Sequence, residues 1–213
     1  MLAARAAELD VPVSAAPAAE DVVVHERESR FTVDGVPIAC PLAGEHQVEN
    51  AVTAFAALRC LGIPDASIAA GIGAARWPGR LERISLQPEI VVDGAHNPAG
   101  ARALAHYIRR FYASRRVRLI FGAMRDKAVE EVAGVLFPLA HEVILTAPKQ
   151  PRALRPEALK DSLDHPRMPI AADLPAALEM VRGAGPEDIV FITGSLFLVS
   201  EALAQTQSGF PVK

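Results

Sequence analysis

Cysteine is scarce in this chain: Cys40 and Cys60 are the only two among 213 residues. Their spacing fits neither a metal site nor a disulfide framework, which points to a reducing cytoplasm. Cys60 lies in a helical pattern and reads as a small core residue. Lysine is limited to Lys127, Lys149, Lys160 and Lys213. These follow Asp126, Pro148, Leu159 and Val212, so none completes the Gly-Lys-Ser/Thr end of a phosphate-binding loop. No Gly-x-Gly-x-x-Gly dinucleotide fingerprint occurs; Gly71-Ile72-Gly73 runs on into Ala74-Ala75-Arg76 inside a helical pattern. A nicotinamide-dependent Rossmann enzyme therefore fails on its first requirement. The Gly-x-Ser-x-Gly nucleophile elbow is missing too. No apolar run is long enough to span a bilayer, and Met1–Leu9 carries Arg5 and Glu8, unlike a secretory core. A formal charge of −3 offers no electrostatic case for nucleic acid or an anionic membrane. The one local basic cluster, Arg115-Arg116-Val117-Arg118, reads as a solvated loop.

What is present is a globular composition, with 51% hydrophobic and 22% charged residues, and length for one or two domains with a real core. The most informative stretch runs from Glu89 to Gly100. Ile90-Val91-Val92 reads as a buried strand that stops on the turn pair Asp93-Gly94. Asn97 suits a helix N-cap and Pro98 the first helical position. Ala101, Leu104, Ala105, Ile108, Phe111 and Tyr112 then recur at helical spacing. Asp93 and His96 thus fall where a strand hands over to a helix, at the carboxyl edge of a parallel sheet, where open α/β sheets take ligands. The simpler account is that Asp93 satisfies the turn and Asn97 caps the helix.

Upstream, Met1–Leu9 fits a short helix and Asp10–Glu20 an Ala/Pro-rich connector. Three short strands follow, the last two (Arg30–Val33 and Val36–Ala39) joined by an Asp34-Gly35 hairpin turn. Gly44 to Asn50 leads into an apolar helix from Ala51 to Leu61, closed by Gly62 and Pro64. A second helix spans about Asp65 to Ala75. His46 and Asn50, four apart, share a helix face, although capping and surface placement explain both. Arg76-Trp77-Pro78-Gly79-Arg80-Leu81-Glu82 breaks the pattern and reads as a domain boundary. Beyond it, strands (83–86, 90–92, 118–121, 142–146, 169–171, 188–193) alternate with helices (98–113, 127–139, 156–163, 174–182, 195–205). That alternation predicts a Rossmann-like, three-layer α/β domain with a mostly parallel sheet. Polar residues also follow Phe121 (Gly122 to Lys127), Thr146 (Lys149) and Ile192. Thr193-Gly194-Ser195 opens a helix, and Ser195 alone would read as a simple cap.

Taken together, these segments resemble one family. Asp93-Gly94-Ala95-His96-Asn97-Pro98 is similar to the C-terminal domain motif of bifunctional dihydrofolate synthase/folylpolyglutamate synthase, an ATP-dependent Mur-type ligase. Gly44-Glu45-His46-Gln47-Val48-Glu49-Asn50-Ala51 resembles the close of that family's central ATPase domain. Arg76 to Glu82 resembles its interdomain linker. Gly122 to Lys127 and Thr193 to Glu201 resemble a further loop and the last strand and helix of its C-terminal domain. The resemblance divides the chain into 1–76, a C-terminal remnant of the central ATPase domain; 77–82, a linker; and 83–213, the Mur-ligase-type C-terminal domain. The phosphate loop, the Mg²⁺ ligands and most of the folate surface belong to a half outside this sequence.

The resemblance implies ATP in an interdomain cleft, touched by Asn50, Arg80 and Asp93, with Asp93 toward ribose hydroxyls and Arg80 toward phosphate. It places His96 and Ser195 toward the incoming L-glutamate or the reacting centre. The implied reaction activates the carboxylate of dihydropteroate or a folate as an acyl phosphate, which the glutamate amine attacks to give an amide, ADP and phosphate. The implied whole protein is a cytoplasmic monomer working on small molecules, with no nucleic-acid or membrane partner. Two other readings stand beside it: another Mur-type amino-acid ligase, and a catalytically silent nucleotide-binding module that kept the fold.

Overall fold

A computed structural model describes residues 2–125 and 128–207. Asp126 and Lys127, and with them the end of the Gly122–Lys127 loop, lie outside the described residues. The chain forms two sheets, one of three strands and one of five. A short helix α1 (Leu2–Glu8) precedes β1 (Ala19–Val24), β2 (Ser29–Val33) and β3 (Val36–Cys40), an antiparallel meander in that order. Asp34 (φ 48°) and Gly35 (φ 78°) take the two left-handed positions of a tight hairpin turn. Helices α2 (Glu45–Cys60) and α3 (Asp65–Gly73) cover the meander. Phe31, Val33 and Ile38 pack beneath Val48, Val52, Phe55, Ile68 and Ile72.

Helix α2 starts at Glu45, six residues before the apolar run that announces it, so Glu45 to Asn50 are helical rather than an approach to the helix. Its buried residues, Gln47, Val48, Ala51, Val52 and Phe55, recur at three- and four-residue intervals. Cys60, expected in the core, is exposed while Cys40 is buried. The last residue of α2 lies past the turn that Phe55 seats, beyond reach of the sheet.

The second sheet has the order β4-β5-β8-β6-β7. Its strands are β4 (Glu82–Leu86), β5 (Glu89–Val92), β6 (Arg116–Phe121), β7 (Glu142–Leu145) and β8 (Asp188–Thr193). β4 runs antiparallel to β5, and every other pairing is parallel. Helices α4 (Pro98–Phe111), α5 (Val129–Leu136) and α6 (Pro156–Ser162) lie on one face; α7 (Leu174–Val181) and α8 (Leu196–Gln207) lie on the other. The two-residue period of a strand assigns the faces. Val91, Leu119, Phe121, Val143, Leu145 and Phe191 meet α4 to α6. Ile90, Val92, Ile120, Ile144, Val190 and Ile192 meet α7 and α8. This is the three-layer, mostly parallel α/β architecture expected from the pattern. The segment expected to be a strand at 169–171 contributes only a single bridge, Leu145 to Ile170.

The arginine cluster expected in a solvated loop instead enters β6 and is paired at the amino edge of the sheet. Arg115 bonds Glu89 and the Asp188 carbonyl, Arg116 bonds Asp188, and Arg118 bonds Glu142. Glu89, held between Arg83 and Arg115, titrates below the usual carboxylate range although burial opposes this. The two sheets are joined through the β1–β2 turn. Tyr107 donates to the Glu26 carbonyl at 2.9 Å and Tyr112 to its carboxylate at 2.8 Å. Phe111 packs against the cores on both sides.

Gly194 sits where β8 turns into α8, at φ 98° with no room for a side chain. A Cβ there would lie 2.7 Å from the Gly122 carbonyl oxygen and 2.7 Å from the Phe121 ring. Gly194→Ala is expected to lower unfolding free energy by about 2–4 kcal/mol, read from urea melts; a loss under about 0.5 kcal/mol would mean that the crossover relaxes freely.

Candidate functional site

The carboxyl ends of the parallel strands are drawn level by their register, Val92 beside Ile192 and Thr193 beside Phe121. β8 enters the sheet between β5 and β6, so the chain reverses its direction of travel here. The loops after β5 and β8 then meet. Asp93 N donates to the Ile192 carbonyl at 3.0 Å and Gly194 N to the Ala95 carbonyl at 3.0 Å. Asn97 caps α4, accepting from Gly100 N at 2.8 Å, and Pro98 is the first helical residue. Gly94 allows close packing: a Cβ there would lie 2.4 Å from Leu196 Cδ2 and 3.6 Å from an Arg80 nitrogen.

Asp93 is 5% exposed. Its Oδ1 accepts from Ala95 N at 2.9 Å and its Oδ2 from Leu81 N at 3.1 Å. One carboxylate therefore closes its own loop and ties the 76–82 stretch to the strand end. Burial pushes its pKa up to about 6; the two backbone N–H groups, Arg80 and His96 pull the other way. Asp93, expected to face ribose hydroxyls, accepts one backbone N–H on each of its oxygens.

Arg80 lies between the two units. Its neighbours Gly79 (φ 76°) and Leu81 (φ 44°) are both left-handed. Its guanidinium stands 5.8 Å over the Trp77 ring and forms no carboxylate pair among the described residues. His46 folds back over Gly44, whose φ of 95° and absent side chain make the space. Burial and then the charge of Arg80 lower the His46 pKa, with Glu49 opposing, so this ring stays neutral at pH 7. Asn50 Nδ2 donates to Gln47 Oε1 at 3.1 Å, and Gln47 Nε2 lies 3.1 Å from His46 Nε2. As the amide is the donor, His46 carries its proton on Nδ1. Asn50 itself is exposed, at the outer end of this relay.

His96 is half-buried, its Nδ1 2.7 Å from the Gly94 carbonyl. A carbonyl only accepts, so Nδ1 carries the proton and the Nε2 lone pair is left for another partner. Ser195 is 1% exposed, and its Oγ accepts from Phe197 N at 3.2 Å, a capping role at the start of α8. The geometry thus brings Arg80, Asp93 and His96 to one strand end, sets Asn50 nearby through Gln47 and His46, and keeps Ser195 beneath the surface.

Residues 79–196, more than half of the chain, match the family of the Mur ligase, glutamate ligase domain. The chain belongs to the Mur ligase family. The matched region starts within the linker at Gly79 and ends on the first residue of α8, so it spans every loop at the carboxyl edge.

Among curated proteins, the chain is 30% identical over 171 residues to the dihydrofolate synthase/folylpolyglutamate synthase of Bacillus subtilis, covering 77% of this chain and 40% of that protein. Among solved structures, Mycobacterium tuberculosis folylpolyglutamate synthase, complexed with ADP and AMPPCP, superposes with a TM-score of 0.86 at 28% identity, covering 100% of this chain and 53% of that one. A bifunctional folylpolyglutamate synthase/dihydrofolate synthase with Mn, AMPPNP and L-glutamate bound gives a TM-score of 0.79 at 25% identity over 97% of this chain and 50% of that one. The chain therefore spans about half or less of the length of these relatives.

Gln47 and Leu81 were not legible as site residues. Gln47 is read only as part of the stretch that leads into the helix and of the motif that resembles the family, and nothing in the sequence announces a left-handed leucine.

The raised pKa of Asp93 has a measurable consequence. An unfolded aspartate releases its proton near 3.8, whereas the folded one keeps it until about 6. Stability from this group is thus greatest below 3.8 and declines as pH rises through about 6, by a total of about 3 kcal/mol. Asp93→Asn removes this contribution, so from pH 4 to 6.5 the wild-type protein should lose stability relative to the variant in urea melts. Parallel pH profiles would show that Asp93 is ionised throughout.

Proposed function

We propose that this chain is the C-terminal part of an ATP-dependent, ADP-forming amide ligase that adds L-glutamate to dihydropteroate or folates. On this reading residues 1–76 are the remainder of the central ATPase domain, 77–82 the linker and 83–213 the C-terminal domain. The observation that carries it is the linker arginine, unpaired by any carboxylate among the described residues, next to Leu81, whose amide Asp93 holds at the strand end of a Mur-type glutamate ligase domain. An unneutralised guanidinium at the mouth of a cleft is suited to a phosphate.

Each side chain then has a task. Arg80 receives a phosphate oxygen of ATP. Asn50, exposed at the end of the Gln47–His46 relay, presents amide groups to the nucleotide. Asp93 acts from beneath, fixing the backbone that carries Arg80 and the loop that carries His96. His96, protonated on Nδ1, turns its Nε2 lone pair toward the incoming glutamate. Ser195 holds the first turn of α8, whose N-terminus faces the same edge. ATP supplies the phosphoryl group that activates the acceptor carboxylate.

Among the described residues no group of three His, Cys, Asp or Glu side chains is placed to hold a metal ion. On this reading the Mg²⁺ ligands belong to the part of the enzyme outside this chain. No helix among the described residues is long and apolar enough to cross a membrane.

Without a phosphate loop the 213-residue chain is expected to be inactive alone; glutamate- and folate-dependent ADP release from it would overturn that assignment. In the full-length enzyme, Arg80→Ala is expected to raise the KM for ATP about 10- to 100-fold, the loss of one charge-assisted hydrogen bond, with the KM for glutamate little changed. An unaltered KM for ATP would remove Arg80 from the nucleotide site.

A further inference from the structure

Arg80 poses a physical question that its backbone does not answer. The linker on either side of it is pinned. Gly79 N donates to Glu82 Oε2 at 2.7 Å, and the Gly79 carbonyl accepts from Gly94 N at 2.9 Å. Leu81 N is held by Asp93 and its side chain is buried. Val199 closes over Gly79, its Cγ1 2.6 Å from where a Cβ would stand. Leu81 is kept left-handed against its intrinsic preference, and such strain persists only where surroundings over-determine it. These contacts aim the Cα of Arg80, but four freely rotating side-chain bonds separate that atom from the charge.

What lies against the charge itself is Trp77. The guanidinium is 5.8 Å above its ring, within cation–π range. Trp77 is also the only tryptophan, and it is 57% exposed. It stands at the mouth of a cavity of about 280 Å³ between the two units, beside Arg76 and Arg80. Hydrophobic burial does not account for placing so large a ring in solvent three residues from an arginine that forms no ion pair among the described residues.

We propose that Trp77 is a positioning residue for the nucleotide site: its ring holds the Arg80 guanidinium over the loop that follows β5, presenting it to phosphate. This inference rests on the nucleotide reading of the site. The ring acts through the cation and does not itself touch the base. Its effect therefore grows with the ligand's phosphates and vanishes when Arg80 is absent.

The test is a titration of the ¹⁵N-labelled chain with ATP and, separately, with adenosine, to millimolar concentrations, following the amide signals of Gly94 and Ala95. Trp77→Ala is expected to weaken ATP about two- to five-fold and to leave adenosine unchanged. Trp77→Phe, which keeps a ring, should retain most of the affinity and guards against a folding defect in the alanine variant. In an Arg80→Ala background, Trp77→Ala should have no further effect on ATP. Unchanged ATP affinity in both Trp77 variants overturns the inference, and so does an equal loss for ATP and adenosine, which would put the base on the ring. Binding of neither ligand by the unaltered chain overturns this inference, whereas the nucleotide reading itself stands or falls on the KM for ATP of Arg80→Ala in the full-length enzyme.

Discussion

One buried carboxylate ties the linker to the strand end at the edge of the sheet where the candidate site lies. Asp93 accepts the amide of Ala95 on one oxygen and that of Leu81 on the other. The first bond closes the loop after β5; the second, with the Gly94 amide on the Gly79 carbonyl, ties the linker to the strand end. The interaction is costly, because burial disfavours the charge that makes it strong. Arg80 and His96, themselves residues of the site, offset part of that cost. The site therefore stabilises its own foundation, and its charges are coupled rather than independent.

The scaffold meets this demand through strand order. β8 is buried along its whole length and carries parallel neighbours on both sides. Its insertion between β5 and β6 brings two loops, distant in sequence, within one hydrogen bond of each other. Glycines permit the approach: at Gly94 and Gly194 a Cβ would collide with side chain or backbone. The opposite edge of the sheet is filled with arginine–carboxylate pairs, Arg118 with Glu142 and Arg115 with Glu89. At that edge the arginines are paired with carboxylates, whereas at the carboxyl edge Arg80 forms no ion pair among the described residues.

Much of this was legible from residues alone, for local reasons. Asn97-Pro98 announces a helix start because an Asx side chain and a proline each solve the problem of unpaired N–H groups. Alternating and 3.6-residue patterns disclose which faces are apolar, and the three-layer arrangement follows. The pattern misled where sequence and burial part company. Glu45 to Asn50 are polar apart from Val48 yet helical, because α2 buries only a stripe including Gln47 and Val48. Cys60 falls on the end of the same helix, past the packed face. Arg115 to Arg118 looked like a loop because periodicity cannot see that Glu89, Glu142 and Asp188 lie across the sheet.

The sequence by itself determined the fold class, the family and the residue types assembled at the strand ends, since helix caps, turn pairs and motif strings act over a few neighbours. Only the tertiary structure decided what those residues touch. It joined Asp93 to the amides of Ala95 and Leu81, drew Ser195 beneath the surface, and stood Arg80 over Trp77 between two left-handed residues. The reason is distance along the chain. Asp93 meets Leu81 across twelve positions, and the Gly194 amide meets Ala95 across nearly a hundred. The first forms once β4 pairs with β5, the second only once the sheet has closed around β8.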